Sequence, residues 1–190
     1  MSLAVKHDQI YTYSDYLSWN DGKRWEIIEG NIFDMSPAPS REHQKILLAL
    51  ARQFADFLEH KSCEVYTAPF DVRLGVEKNQ GDDTIETVVQ PDISIICDSS
   101  KLDDRGCAGS PDMIVEIISP STAAKDMKNK YNVYEKYGVR EYWVVYPFEK
   151  IVMVFFLENG SYGKARIFSS EETIESSAVK DLKADLKKVF

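Results

Sequence analysis

The stretch from Pro111 to Pro147 constrains the fold more than any other part of this 190-residue chain. It begins with a short apolar run, Met113 to Ile118, whose isoleucine and valine content is typical of a buried strand. A helical pattern follows from Ala123 to Tyr137, and a second apolar strand runs from Glu141 to Tyr146. Strand, helix and strand at this spacing predict a crossover unit whose two strands are parallel.

One residue of the first strand does not suit a buried apolar position. Glu116 lies among aliphatic neighbours, namely Ile114, Val115, Ile117 and Ile118. A carboxylate in such surroundings needs a cation, a metal or a proton to offset the loss of its hydration. Glu116 is therefore the first candidate for a functional residue.

The helix offers a partner for this carboxylate. Its N-cap is predicted at Ser121 or Thr122, and Asp126, Lys130 and Tyr134 form one row at steps of four. Lys130 is thus expected to point towards the end of the Glu116 strand. Spacing alone favours a plain helix ion pair between Asp126 and Lys130, worth about 0.3–0.5 kcal/mol, over a role in a functional site.

A second carboxylate candidate precedes an earlier strand. Val88 to Cys97 is predicted to be a strand with Pro91-Asp92 inside it, so Asp92 and Glu116 are expected on adjacent strands. Asp112 shares a strand face with Glu116, but at about 3.3 Å per residue the two would be roughly 13 Å apart, too far to share one ion. Asp112 is therefore interpreted as a strand-start residue.

Together these residues resemble a known constellation. Pro91-Asp92, the strand with Glu116 and a following lysine resemble the PD-(D/E)XK nucleases, which include restriction endonucleases. The segments EIISPST, D-x-x-x-K and YGVREYWVVYP, with WEIIEG, MSPAPSREH and QPDISII upstream, resemble the Uma-type restriction endonuclease family from about Tyr13 to the C-terminus. The usual lysine position holds Ile118 instead, and Lys130 matches the helical position that similar families use.

The resemblance implies a fold and a chemistry. It predicts one α/β domain over residues 1–190, restriction endonuclease-like, with a mixed central β-sheet flanked by helices and a C-terminal β-hairpin. It predicts a DNA endonuclease that uses Mg²⁺ or Mn²⁺ held by Asp92, Glu116 and the carbonyl of Ile117. Lys130 would orient the attacking water or pair with the phosphate, and Asp126 would hold Lys130. Many enzymes of this type are dimers, which makes a homodimer one expected state.

Two further residues have both a functional and a structural interpretation. Glu26 is either a solvated outward residue of its strand or, as the resemblance implies, an upstream carboxylate that supports the metal site. His43 extends the apolar stripe of a long helix by one turn. It is either a packing histidine or a residue at the cleft rim that contacts phosphate or a metal-bound water.

The remaining elements follow from periodicity and turn residues. A short helix capped by Ser14, a hairpin around Glu29-Gly30-Asn31, and a helix from Ser40 to about Glu59 are predicted first. Later segments are predicted as a strand over Glu64 to Leu74, a hairpin around Asn159-Gly160 joining Ile151–Leu157 to Tyr162–Phe168, and an amphipathic helix over Asp181 to Phe190.

Composition narrows the functional classes. The hydrophobic fraction of 44% suits a full core, and no apolar run is long enough to span a membrane, so a cytoplasmic protein is expected. Cys63, Cys97 and Cys107 are too few and too scattered for a disulfide framework, which predicts reduced thiols. A net charge of −8 repels nucleic acid at long range, but some of this acidity would be neutralised if it serves as metal ligands.

Two other classes of function stay open. A nuclease-fold module that binds nucleic acid or protein without catalysis is favoured by Ile118 and by the acidic net charge. A hydrolase with Ser119 or Ser121 as nucleophile is disfavoured, because neither serine lies in a G-x-S-x-G turn and no histidine follows His60.

Overall fold

A computed structural model describes residues 9–35, 39–77, 80–119 and 123–190, with the side chains of residues 123–127 excepted. The helices of the described chain are α1 (Tyr13–Ser18), α2 (Arg41–Leu58) and α3 (Ala123–Lys136). The α1 helix is capped by Thr12, in a capping box with Asp15, rather than by Ser14. The α2 helix begins where predicted, since the Ser40 hydroxyl accepts a hydrogen bond from the His43 amide. The predicted caps of α3, Ser121 and Thr122, lie outside the described residues.

Short strands make up most of the remaining structure. In chain order they are β1 (Trp25–Ile28), β2 (Asn31–Asp34), β3 (Glu64–Thr67), β4 (Val72–Arg73), β5 (Val88–Val89), β6 (Ile93–Ile96), β7 (Leu102–Asp103), β8 (Gly106–Ala108), β9 (Met113–Ile117), β10 (Glu141–Tyr146), β11 (Ile151–Glu158), β12 (Ser161–Tyr162), β13 (Arg166–Ser169), β14 (Thr173–Glu175) and β15 (Lys183–Asp185).

The strands form two larger sheets and one small ribbon. The first sheet has the order β2-β1-β5-β4-β8-β7, and the second has the order β12-β11-β10-β9-β6-β3, with β13 also paired to β11. Strands β14 and β15 form the two-stranded ribbon. The second sheet is mixed, because β9 and β10 are parallel while β6 is antiparallel to β9. The predicted mixed α/β architecture is therefore present.

The predicted crossover unit β9-α3-β10 is also present. Helix α2 packs its apolar residues against Met113, Val115 and Ile117 of β9, while α3 packs against the alternate positions of that strand. Side chains alternate between the faces of a strand, so the side chain of Glu116 projects on the same side as that of Ile114, towards α3. This alternation of side chains brings Glu116 within reach of α3, the helix that carries Lys130.

The hairpins have the turns that their sequences indicate. Strands β1 and β2 pair in antiparallel register around Glu29-Gly30, and β11 and β12 pair around Asn159-Gly160. Both residues of each turn have positive φ, which is the conformation that favours glycine at the second position.

Four predicted elements differ in the structure, and one of them is the strand from Tyr162 to Phe168, which is divided into β12 and β13. The segment Glu64 to Leu74 is not one strand, because β3 and β4 lie in different sheets. Val88 to Cys97 divides similarly into β5 and β6. The predicted helix over Asp181 to Phe190 is wrong, since this segment forms β15 and a single 3-10 turn, Leu186–Lys188. Its apolar residues are buried in either conformation, and pairing with β14 decides between them.

The cysteine prediction is wrong for two of the three residues. Strands β3 and β6 are antiparallel with Glu64 opposite Ile96, so Cys63 and Cys97 face each other just beyond the strand ends. They form a disulfide, whereas Cys107 is a buried free thiol. The two cysteines are 34 residues apart, and their pairing depends on the register of β3 against β6, which the local sequence does not predict. In the described part of the chain no helix is long and apolar enough to cross a bilayer.

Candidate active site

Five segments meet at the carboxyl end of β9: this strand, the start of β6, the first turn of α2, the inner face of α3 and strand β1. The antiparallel register that sets Ile93 opposite Val115 continues to Asp92 and Glu116, so the two predicted carboxylates lie on neighbouring strands. Strand β1 contributes Glu26 from the other sheet. The expected adjacency of Asp92 and Glu116 is therefore observed.

Glu116 and Lys130 form the centre of this cluster. The Lys130 Nζ atom lies 2.9 Å from Glu116 Oε1 and 3.0 Å from Glu26 Oε1. The Tyr134 hydroxyl donates a hydrogen bond to the same Glu116 oxygen at 2.7 Å. Glu26 is 6% exposed, which excludes the solvated outward placement considered from the sequence. The Oε1 atom of Glu26 also accepts a hydrogen bond from the backbone N–H of Gln90 at 2.9 Å.

Asp92 is held by two donors on the opposite side of the cluster. Its Oδ2 atom accepts a hydrogen bond from the Ile117 amide at 2.7 Å and lies 3.1 Å from His43 Nε2. The imidazole is mostly buried, with its Nδ1 atom unbonded among the described residues. His43 is thus a mostly buried, hydrogen-bonded histidine, as its structural interpretation predicts, and its partner is a carboxylate of the cluster.

The cluster contains more negative than positive groups. Burial raises the pKa of Glu116 to about 7, and the charges of Asp92 and Glu26 add to this effect against the opposing charge of Lys130. Burial would lower the pKa of Lys130, but Glu116 and Glu26 hold it well above its ordinary value. With Glu116 and Glu26 on one ammonium and Asp92 paired with His43, the site holds one more acidic than basic side chain.

His43 responds to the same charges. Burial would lower the pKa of His43, whereas the hydrogen bond with Asp92 and the charges of Asp92 and Glu116 raise it, with a net increase. Tyr134 has a pKa well above its ordinary value, because burial and the neighbouring Glu116 both disfavour a phenolate. Tyr134 thus acts here as a hydrogen-bond donor.

The donor set suits a hard divalent cation with few protein ligands. Asp92 Oδ1 and Glu116 Oε2 accept no hydrogen bond from the described residues, which leaves one oxygen of each carboxylate for a ligand. Within the same residues no group of three or more His, Cys, Asp or Glu side chains has a ready-made metal-binding arrangement. Magnesium keeps several waters and needs only one or two protein carboxylates, so two such oxygens are compatible with it.

The other predicted residues lie as follows. The side chain of Asp126 is outside the described set, and so is Ser121. Asp112 lies at the opposite end of β9, where it accepts hydrogen bonds from the Cys97 amide and from Arg140. Its interpretation as a strand-start residue is confirmed. Of the candidate side chains, the structure brings together Glu26, His43, Asp92, Glu116 and Lys130.

Two contributors were missed or only partly recognised from the sequence. Tyr134 was placed in the Lys130 row from its four-residue spacing, but no role in the site was predicted for it. No role was predicted for Gln90. Its backbone N–H donates a hydrogen bond to Glu26, and its side chain forms hydrogen bonds with Arg24, Tyr16 and Asp71. The sequence around Gln90 does not predict these contacts, because the residues that it bonds lie far from it in the chain.

A described protein family and several known proteins are similar to this chain. The sequence model of the family described as "Uma2: Putative restriction endonuclease" matches residues 13–187. The chain is 27% identical over 122 residues to the uncharacterized protein slr1290 of Synechocystis sp., covering 63% of this chain and 60% of that protein. It is 24% identical over 136 residues to sll1609 of the same organism, also uncharacterized, covering 70% and 72% of the two chains.

A solved structure shares the fold. It is a protein from Anabaena variabilis described as a "putative nuclease belonging to DUF820", with a TM-score of 0.73 over 95% of this chain and 97% of that one. At 19% identity this likeness establishes the fold alone.

Proposed function

Since this chain belongs to the Uma2 family of restriction endonuclease-type proteins, we propose that it is a metal-dependent endonuclease that hydrolyses phosphodiester bonds in DNA. The observation that supports the proposal most directly is the buried contact between Glu116 and Lys130, with Asp92 and Glu26 beside it. A structural ion pair would need one carboxylate for one lysine. Here a second carboxylate, Glu26, is buried against the same lysine, which is costly unless a further cation is used there, and the partly exposed Asp92 lies on the neighbouring strand.

In this proposal Asp92 and Glu116 hold Mg²⁺ or Mn²⁺, with the carbonyl oxygen of Ile117 as a further ligand. A divalent cation supplies charge stabilisation for the phosphate and lowers the pKa of a bound water. The Ile117 amide and His43 fix the Asp92 carboxylate through its Oδ2 atom, so that Oδ1 keeps one orientation.

Lys130 is the proposed residue for orienting the attacking water or pairing with the scissile phosphate. Its ammonium is positioned by Glu116 and Glu26, and Tyr134 holds the shared Glu116 oxygen. Asp126 is proposed to support Lys130 from the preceding helical turn. Because the aliphatic part of Lys130 is buried, its charged end has one main direction, which favours a positioning role.

The experiment that tests the proposal is cleavage of a mixed nucleic acid panel in Mg²⁺ or Mn²⁺. The panel contains supercoiled plasmid, single-stranded DNA, branched DNA and RNA. Wild type is compared with Glu116→Gln and with Glu149→Gln, a matched control on the exposed turn after β10. Cutting by wild type and Glu149→Gln but not by Glu116→Gln is expected. Equal cutting by all three proteins would contradict the proposal.

A second candidate is a nuclease-fold module that binds nucleic acid or protein without cleaving. It is favoured by the two ion pairs that already engage Lys130 and by Ile118 at the usual lysine position. Calorimetric titration with Mn²⁺ separates the two candidates when no cleavage is seen. Metal binding lost in Asp92→Asn favours a nuclease whose substrate was absent from the panel, whereas no metal binding favours the module.

The location and assembly of the protein are proposed with its substrate. We place its work in the cytoplasm, where a DNA substrate is available. A homodimer stays a prediction, which sedimentation of the purified chain would check.

A further inference from the structure

A polar groove lies between α3 and the β1-β2 hairpin. It has a cavity volume of about 190 Å³ and is lined by Ile28, Glu29, Asn31, Phe33, Asn129, Asn132, Val133 and Lys136. Its α3 side is the stripe 129-132-133-136, at steps of three, one and three, which is one face of a helix. Such a stripe normally holds apolar residues when it faces another element, but here it reads Asn, Asn, Val and Lys.

The two helical asparagines leave their side-chain amides open to a ligand, since Asn129 is partly exposed and Asn132 is exposed. Neither Asn129 nor Asn132 has a side-chain hydrogen bond to another described residue, and asparagine is a poor helix former. The third asparagine of the groove, Asn31, donates from Nδ2 to the carbonyls of Ile28 and Glu29 at 3.4 and 3.0 Å. Its Oδ1 atom accepts no hydrogen bond from the described chain. The groove thus presents several amide donors and acceptors that the fold itself does not use.

The groove is adjacent to the candidate active site. Ile28 follows Glu26 by two residues on β1, so the two side chains share a face and are separated by about 6.6 Å of strand. Val133 follows Lys130 by three residues on α3, which is less than one helical turn. The groove therefore begins beside the Glu26 and Lys130 ion pair and continues away from it along α3.

Its charge distribution points to a neutral, hydrogen-bonding ligand. The only charged side chains that line the described groove are Glu29 and Lys136, which pair with each other. A phosphate would find no unpaired cation among these residues. An asparagine amide, by contrast, has a donor and an acceptor on one edge and matches the N6 and N7 atoms of adenine.

We propose that this groove binds a base edge of the DNA substrate next to the scissile phosphate, with Asn129 and Asn132 as specificity-determining residues. The proposal rests on the nuclease function above and adds to it a site for sequence preference. Lys130 and its carboxylates would act on the phosphate, while Asn129 and Asn132, which flank Lys130 on the adjoining face of α3, would contact the neighbouring base. The residues for catalysis and for reading sequence would then be carried by the same helix.

The test is the sequence preference of binding and cutting. Glu116→Gln protein, which is expected to bind without cleaving, is used to select DNA from a random pool, with and without the added changes Asn129→Ala and Asn132→Ala. A preference of about tenfold at one or two positions is expected in the parent and is expected to fall below about twofold in the doubly substituted protein. Total affinity for the unselected pool is expected to change by less than about threefold. Asn20→Ala, an exposed asparagine outside the groove, serves as the matched control.

The outcomes separate this proposal from the proposed function. The same preference in the parent and in the Asn129→Ala, Asn132→Ala protein would overturn the groove proposal, and so would an absence of any preference in the parent. If wild type still cuts DNA in a metal-dependent manner in those cases, the nuclease function stands without the groove. If the chain neither binds nor cuts DNA, both proposals fail. Thermal unfolding of each variant shows whether the substitutions preserve the fold.

Discussion

Two buried glutamates lie on the paired strands β9 and β10, and their surroundings differ. Glu141 is fully buried and accepts four hydrogen bonds, from Trp143 Nε1 to one oxygen and from Ser176 Oγ, Ser177 N and Ala178 N to the other. Glu116 has one oxygen engaged by Lys130 and Tyr134, and two further carboxylates nearby. Burial of either carboxylate costs free energy of hydration, but only Glu141 accepts enough hydrogen bonds to offset that cost.

The donors and charges around a buried carboxylate therefore indicate whether it stabilises the fold or suits a functional site. Glu141 fastens the segment after β14 to the start of β10, and its neighbours are neutral donors that match its two oxygens. Glu116 shares a single lysine with Glu26, and the charge of Asp92 further raises its pKa. A carboxylate with matched donors stabilises the fold, whereas one in a cluster with excess negative charge suits a cation ligand. The following substitutions test that contrast.

The largest effect is expected for Glu116→Gln on cleavage. Loss of a carboxylate ligand is expected to lower the rate of DNA hydrolysis by about 1000-fold or more, because the cation loses a ligand and its charge complement. The free energy of unfolding without metal is expected to change little or to increase, since one of three crowded carboxylates is neutralised. Rate measurements and urea unfolding of the same preparation check both. A large loss of stability would place Glu116 in the same class as Glu141.

The isosteric change Glu141→Gln is expected to act on stability instead. Whichever way the amide is turned, its NH₂ group faces N–H or O–H donors that formerly met an oxygen. The free energy of unfolding is expected to fall by about 2–4 kcal/mol, since buried donors lose their acceptor. Urea unfolding measures this, and the cleavage rate of the folded fraction is expected to stay within about threefold of wild type. A stability equal to that of wild type would remove the contrast.

Lys130→Ala is expected to divide the functions of the cluster. The cleavage rate is expected to fall by about 100-fold, in the range for loss of a positioned group that handles a proton or phosphate. Mn²⁺ affinity is expected to be equal or tighter, because removal of the ammonium leaves the three carboxylates uncompensated. Calorimetry with Mn²⁺ and single-turnover cleavage are the two measurements. A parallel loss of metal affinity and rate would mean that Lys130 only maintains the fold of the site.

The smallest effect is expected in the pH dependence of stability. The pKa of Glu116 is raised on folding from 4.5 to about 7, so between these values the folded state binds more protons at this group than the unfolded state. Its contribution therefore favours folding at low pH and is lost as the pH rises through this window. In EDTA, the stability of wild type relative to Glu116→Gln is expected to decline from pH 4.5 to 7. A difference that is flat or rises with pH would contradict the burial argument.

Much of this site was predictable because its central pair is local in sequence. Glu116 was conspicuous as a carboxylate in an apolar strand, and Lys130 lies on the helix that directly follows. The parity of the strand and the four-residue step of the helix were sufficient to bring the two side chains together. The unit β9-α3-β10 was likewise predicted from periodicity and from the short connections between its parts.

The features that were predicted wrongly or left undecided depend instead on contacts between segments that are distant in the sequence. The pairing of Cys63 with Cys97 depends on the register of β3 against β6, and the conformation of the tail depends on β14. Glu26 was undecided from sequence, because a carboxylate beside alternating apolar residues is typical of either a solvated or a functional position. Its burial results from α3 and Lys130, which lie about a hundred residues later in the chain.

The central crossover, the long second helix, the hairpin turns and the candidate carboxylates Asp92 and Glu116 followed from local sequence patterns. These depend on side-chain periodicity and turn residues, which act over a few positions. The tertiary structure alone decided that Glu26 and His43 join the cluster, that Gln90 ties it to Tyr16 and Asp71, and that a groove with unused amides lies beside it. Those features depend on the order and register of strands from distant segments, and such long-range contacts are selected by the packing of the whole core rather than by any local pattern.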